Sequence, residues 1–416
     1  MLSLFELLAG LLTVTAAFAW TNHRLLHLPA NIGLLIMGLG ASLLLISIEF
    51  LFPSTQIYGA LAHSLEQIDF YDAVMNGMLA FLLFAGALHV DFGRLRSRAS
   101  IVGTLATLGV AISTLIIATG LWAAGRILAL PISFGWALVF GALVAPTDPV
   151  AVLSTLKSVA VPQKLEMDMT GEALFNDGIA VVLFTITLQA ATSPAEGFEP
   201  AHIARMLILE AGGGGLLGLI TGYIAYRALH AIDDYSIEVM ISLALVTATY
   251  AIADKLHMSG PIAVVVAGVL IGNRAAAYAM SETTKRFIFG FWKLIDDTLN
   301  AILFLLIGLE VLVLHFEPSL AWIGLIAVPL ALFARFISVS IPVALLSRWK
   351  AFAKGTVPVL TWGGVRGGIS IALALSLPDS PARPLILTAT YSIVLFTIIV
   401  QGLSLGWVIR RTVPGR

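Results

Sequence analysis

The sequence predicts an all-α polytopic membrane protein, and three observations carry that prediction. Hydrophobic residues fill 59% of its 416 positions and charged residues only 11%, where soluble domains carry about 25% charge. The apolar residues gather in runs long enough to cross a bilayer, roughly 20 residues each, and the mean hydropathy is +0.98. The Lys and Arg residues sort to one side of those runs. There is no cysteine, which excludes disulfides, thiolate metal sites and thiol nucleophiles. The net charge of −1 singles out no partner class.

Hydropathy and charge breaks place thirteen spans near 3–19, 28–52, 73–90, 100–129, 132–157, 166–191, 202–230, 236–254, 260–274, 297–315, 319–346, 355–377 and 383–411. No cationic region precedes the first run, which carries Glu6, so a first span is expected rather than a cleaved signal peptide. The stretch 278–296 mixes charge with Phe and Trp and is expected to be an amphipathic helix lying along the surface. With the N-terminus outside, 17 of the 23 Lys and Arg fall on the cytoplasmic side, Arg94, Arg96 and Arg98 among them. Four fall outside, and Arg335 and Arg366 remain within spans. That asymmetry follows the positive-inside rule and favours an odd number of spans with the C-terminus in the cytoplasm.

Two spans are interrupted. Span 5 contains Ala145-Pro146-Thr147-Asp148-Pro149, and each proline removes a backbone donor and clashes with the preceding turn. Span 12 contains Gly363-Gly364-Val365-Arg366-Gly367-Gly368; glycine costs about 1 kcal/mol in a helix interior, so four together predict an unwound segment. Free backbone groups at membrane depth need cover from protein or a water-filled cavity. Breaks seven spans apart suit inverted six-helix repeats around a central linker helix, with a transport site near the midplane.

A charge at mid-depth costs at least ~2.5–3.5 kcal/mol, so intramembrane ionisable residues are functional candidates. Asp177 follows Asn176, and the two offer hard oxygen ligands for a small cation. Burial disfavours the charged form of a carboxylate, so such a group can hold either a proton or a cation. That competition is sufficient for exchange; the competing reading is a buried Asn-Asp pair that bridges helices. On a helix, Glu172 and Asn176 lie about 40° apart, whereas Asp177 is about 140° from Glu172. Glu172 is therefore expected to pair with Arg335 of span 11 in a structural role, against direct ion binding. Asp148 and Arg366 each have two readings, compensation of half-helix dipoles or contact with the transported ion. Thr147 offers a hydroxyl and a carbonyl at the unwound point.

Glu310 lies toward the external end of span 10, as an interface residue or a wall of an outer cavity. The run Gly212 to Gly215 reads as close helix packing. No Walker motif is present, and the eight histidines show no metal spacing. The expectation is a transporter rather than an enzyme, with no cofactor and no nucleic-acid partner.

The runs GALVAPTDPVAVLSTL, GEALFNDGIAVVLF, FLLIGLE and TWGGVRGGISIALALSL occur in an order that resembles the monovalent cation:proton antiporters, in the sodium/proton exchanger branch of bacteria and eukaryotes. The resemblance implies a homodimer in lipid. Each protomer would have thirteen helices, a moving core (mainly 100–191 and 319–411) and a scaffold for dimerisation (mainly 1–90 and 202–315). It implies that Asp177 binds sodium and protons in turn, with Asn176, Thr147 and Asp148 as neighbours and Asp148 linked to Asn176. Glu172 and Arg335 would form a buried ion pair, and Arg366 would belong to the second unwound segment. Asn before the Asp resembles the electroneutral exchangers. Relatives often carry a hydroxyl residue after the glutamate, where this chain has Ala173, so the sodium preference rests on other ligands. A cytoplasmic regulatory domain is not expected in this chain. The location implied is a bacterial plasma membrane. Potassium/proton exchange is the near alternative. An intramembrane aspartyl protease using Asp148 and Asp177 is the distant one, because Thr-Asp-Pro and Asn-Asp-Gly lack that family's contexts.

Overall fold

Each of the thirteen apolar stretches overlaps a helix in the computed structural model, which describes residues 4–52, 70–128, 130, 132–148, 161–192, 205–206, 208–312, 320 and 322–413. Among the described residues no strand occurs. Among the described residues, ten helices are long and apolar enough to cross a membrane. They are α1 (Phe5–Leu26), α2 (Ala30–Leu51), α3 (Phe70–Leu88), α4 (Phe92–Ile127), α6 (Gln163–Thr192), α7 (Ile208–His230), α8 (Tyr235–Lys255), α9 (Gly260–Tyr278), α11 (Ile323–Leu346) and α14 (Arg383–Thr412). Between them lie α5 (Phe134–Val144), α10 (Glu282–Leu309), and the pair α12 (Thr356–Trp362) and α13 (Gly368–Leu375).

Short connections and strong caps set the helix starts. Asp91, Ser133, Asp234, Ser259 and Ser281 each accept a bond from an N–H in the first turn of the helix they precede. Such caps satisfy donors that an apolar surround would leave bare. The glycine-rich start of α7 behaves as close packing: a Cβ on Gly214 would come within 2.5 Å of the Ser259 carbonyl ahead of α9.

Two apolar clusters divide the interior. The smaller joins α3, α7, α8, α9 and α10 through residues such as Phe84, Leu229, Val246, Ile271 and Trp292. The larger joins α4, α5, α6 and α11 to α14, together with inner faces of α2, α3 and α10.

The surface helix expected at 278–296 is not present as such. From Glu282 the chain runs as one helix to Leu309. Trp292 is fully buried, its ring 4.6 Å from that of Phe84, and its Nε1 donates to Ser242 Oγ at 2.9 Å. The amphipathic pattern is real, but its apolar face packs on α3 and α8 rather than on lipid. Arg286 and Lys293 stay on the exposed side. A second correction concerns the start of span 4, expected near 100, with Arg98 in the cytoplasmic segment before it. The helix α4 begins at Phe92, well before the expected start near 100, and carries Arg98 into the interior, where it pairs with Asp168 of α6.

Candidate functional site

The two interrupted spans meet. The helix α5 stops at Val144, and from Pro146 to Asp148 the backbone has no regular secondary structure. The helix α12 stops at Trp362, and α13 starts at Gly368. The Asp148 N–H donates to the Val365 carbonyl at 2.8 Å, so each unwound segment satisfies part of the other. Gly367 is required at this crossing, because a Cβ there would run into the Asp148 carboxylate. The rest of span 5, from 149 to 160, lies outside the described residues, so the half-helix expected to begin at Asp148 is not described.

The second break has further cover that the sequence pattern did not announce. The helix α14 makes a π-turn at Thr397–Gln401, a geometry frequent at functional sites. There Thr397 Oγ1 accepts from the Arg366 N–H at 3.1 Å, and Gln401 Nε2 donates to the Trp362 carbonyl at 3.1 Å. Arg366 is 1% exposed, and its Nη1 donates to the Gly364 carbonyl at 2.9 Å. Its charge thus meets one carbonyl of the unwound segment that follows α12.

Against this crossing lies the middle of α6. Asn176 is fully buried and donates from Nδ2 to Thr147 Oγ1 at 2.9 Å. Among the described residues its Oδ1 accepts no hydrogen bond, and Asn176 itself is not among the residues that line the cavity beside it. Asp177 is 6% exposed, and among the described residues no Lys or Arg pairs with it. Thr147, Asp148 and Asp177 all line one cavity of about 530 Å³. From them the cavity extends to a rim of exposed groups that includes Asp91, Arg94, Gln163, Glu166, Lys293 and Asp297. One cavity therefore joins that rim to Asp177.

Glu172 does not line the cavity. It meets Arg335 in a two-pronged ion pair, Nη1 to Oε1 and Nη2 to Oε2, the latter at 2.9 Å. Arg335 Nε also donates to the Leu360 carbonyl at 3.2 Å, which ties α6, α11 and α12 together. The helix-angle argument accounts for this separation of Glu172 from Asp177. Ala173, 3% exposed, offers the site no hydroxyl.

Sequence reasoning missed three participants. The Arg98–Asp168 pair is two-pronged as well, with Nε to Oδ1 at 2.7 Å, and Arg98 Nη1 donates to the Ala351 carbonyl at 3.0 Å. Asp168 stands one turn before Glu172, a spacing that places both acids on one face and is visible in the sequence. Asn300 and Asp296 of α10 line the cavity too, joined by an Asn300 Nδ2 to Asp296 Oδ1 bond of 2.9 Å. The surface-helix expectation next to them hid both. Glu310 is not among the residues lining this cavity; it opens a single 3₁₀ turn after α10.

The family model described as "Sodium/hydrogen exchanger, transmembrane" matches residues 12–411. The chain is 41% identical over 422 residues to the Na(+)/H(+) antiporter NhaP of Pseudomonas aeruginosa, covering 99% of this chain and 98% of that protein. It is 38% identical to the Na(+)/H(+) antiporter NhaH of Halobacillus aidingensis, covering 93% of each. Its fold matches that of the sodium proton antiporter MjNhaP1 from Methanocaldococcus jannaschii with a TM-score of 0.73, at 21% identity over 97% of this chain and 98% of that one.

Proposed function

The chain belongs to the transmembrane sodium/hydrogen exchanger family, and from that premise we propose that it exchanges Na⁺ for H⁺ by letting the two compete for the Asp177 carboxylate. One observation carries the reading: an acid without an arginine partner sits deep in a cavity beside a crossing of two unwound segments. The neighbouring acids of the same helix are neutralised by arginines.

Asp177 holds a proton as the neutral acid. When the cavity side is rich in sodium, the proton leaves to water and a cation takes its place against the carboxylate. Asn176 Oδ1, Thr147 and the unwound backbone at the crossing supply further oxygens, the kind of donor set a hard cation prefers. Each form of the loaded site is neutral, so exchange of one ion for one proton moves no net charge. Glu172 with Arg335 holds the site helix in place, and Arg366 holds the second break.

The larger frame is part of the proposal. The core of 100–191 and 319–411 moves against a scaffold of 1–90 and 202–315 in a thirteen-span homodimer. The N-terminus is outside and the C-terminus is in the cytoplasm of a bacterial plasma membrane. The rim bearing Arg94 and Lys293 then faces the cytoplasm. The experiment is transport into proteoliposomes carrying an internal pH dye, with sodium, lithium or potassium added outside. Sodium should drive proton movement without current, and without response of the initial rate to membrane potential. Retained exchange in Asp177→Asn sinks the mechanism, and equal rates with potassium remove the sodium assignment.

A further inference from the structure

The chain passes from α3 to α4 through only three residues, His89, Val90 and Asp91, and both sides of that joint are anchored. On one side, the end of α3 lies directly on α9. A Cβ on Gly268 would come within 2.8 Å of the Ala87 Cβ, and one on Gly272 would strike the Leu88 carbonyl. On the other side, α4 is pinned by the buried Arg98–Asp168 pair to α6. Across the gap reaches a single side chain. Asn273, in the π-turn Ile271–Ala275 of α9, accepts the Phe92 N–H at 2.7 Å and donates to the Val90 carbonyl at 2.8 Å. Its second N–H goes to the Val269 carbonyl at 2.8 Å, which fixes the amide on its own helix. All three of these bonds are to backbone atoms.

We propose that Asn273 is a positioning residue that clasps the joint between scaffold and core and holds the protein in the conformation whose cavity is open to the Arg94 rim. The inference rests on the division into scaffold and core proposed above. Under that division α9 and α3 are stationary and α4 belongs to the moving part. Relative displacement at this crossing must then be absorbed in three residues, and two of Asn273's bonds hold that stretch on either side of Asp91. His89, Val90 and Asp91 also line the cavity, so a change of angle here alters its mouth. Asn273 itself is not among the cavity-lining residues and does not touch the ion.

The absence of cysteine makes the test direct. The parent is the full chain carrying Leu82→Cys, a cavity-lining position outside the site, labelled in proteoliposomes by a membrane-impermeant maleimide from the Arg94 side. Asn273→Ala removes the clasp. Phe92→Pro removes one of its bonds from the other end, at a helix position where proline is favoured. Asp91, at φ −72° and ψ 109°, already has the backbone that a following proline demands. The ratio of open to closed cavity should fall about fivefold in Phe92→Pro, the factor supplied by one hydrogen bond of ordinary net strength, and further in Asn273→Ala, which removes both bonds. This reads as slower labelling together with a proportionately raised KM for sodium on that face, since apparent affinity scales with the competent fraction. The double variant should be no more affected than Asn273→Ala alone.

Wild-type labelling and KM in both variants would overturn the clasp. So would a loss confined to melting temperature, or effects that add in the double variant. Parent labelling that ignores sodium and pH would instead overturn the moving-core reading, and the clasp with it.

Discussion

Two stretches of one helix, barely two turns apart, treat buried acids in opposite ways. In the first half of α6, Asp168 and Glu172 each face an arginine that grips both carboxylate oxygens. One turn further on, Asp177 lines the cavity together with another acid, Asp148. The difference teaches what each acid is for. A two-pronged arginine neutralises a carboxylate permanently and ties helices together, so it cannot also exchange ligands. An acid left without such a partner is open to a proton or a cation, the role proposed for Asp177. The helical angle enforces the division, since 168 and 172 share a face and 177 is turned about 140° from 172.

The strongest way to break this comparison is to remove the charge at each acid in turn. Asp177→Asn should abolish sodium-driven proton movement in proteoliposomes while leaving yield and melting temperature at or above the parent's. Deleting an uncompensated buried charge costs no folding energy. Glu172→Gln should do the reverse. It strands Arg335 in the interior, which costs about 3–5 kcal/mol, and the loss appears as less folded protein in detergent by size exclusion. Normal yield with lost transport would move Glu172 into the ion site.

Finer substitutions sharpen the contrast. Arg98→Lys keeps the charge opposite Asp168 but loses the fork and the bond to Ala351, so a fall in stability of about 1–2 kcal/mol is expected. Thermal unfolding measures it, and KM for sodium should stay unchanged. Ala173→Ser should give the smallest effect. It adds one hydroxyl beside the site, and a severalfold lower KM for sodium with unchanged melting temperature would show that oxygen reaching the cation. An unaltered KM would leave the site's oxygens to Asn176, Thr147 and the backbone.

Much of the site is legible in the sequence because it breaks local rules. Two prolines around Asp148 and four glycines around Arg366 cannot continue a helix, and an acid at membrane depth demands a reason. The tertiary structure adds that these segments satisfy one another, through the Asp148 N–H and the Val365 carbonyl. What stays hidden follows local rules. Arg98 reads as one more positive-inside charge, and only its partner 70 residues away makes it structural. The segment 282–296 has the pattern of a surface helix, because burial against protein and burial against lipid leave the same periodicity.

The sequence by itself determined the membrane class, the two interrupted spans and the acid that stands apart, because hydropathy, helix-breaking residues and helical angle are properties of neighbours along the chain. Only the tertiary structure decided which arginine meets which acid, where α10 lies, how Thr397 and Gln401 cover the second break, and how Asn273 ties the joint after α3 to the start of α4. Those contacts join groups distant in sequence, and a side chain's partner across a helix interface is set by packing geometry that no local pattern encodes.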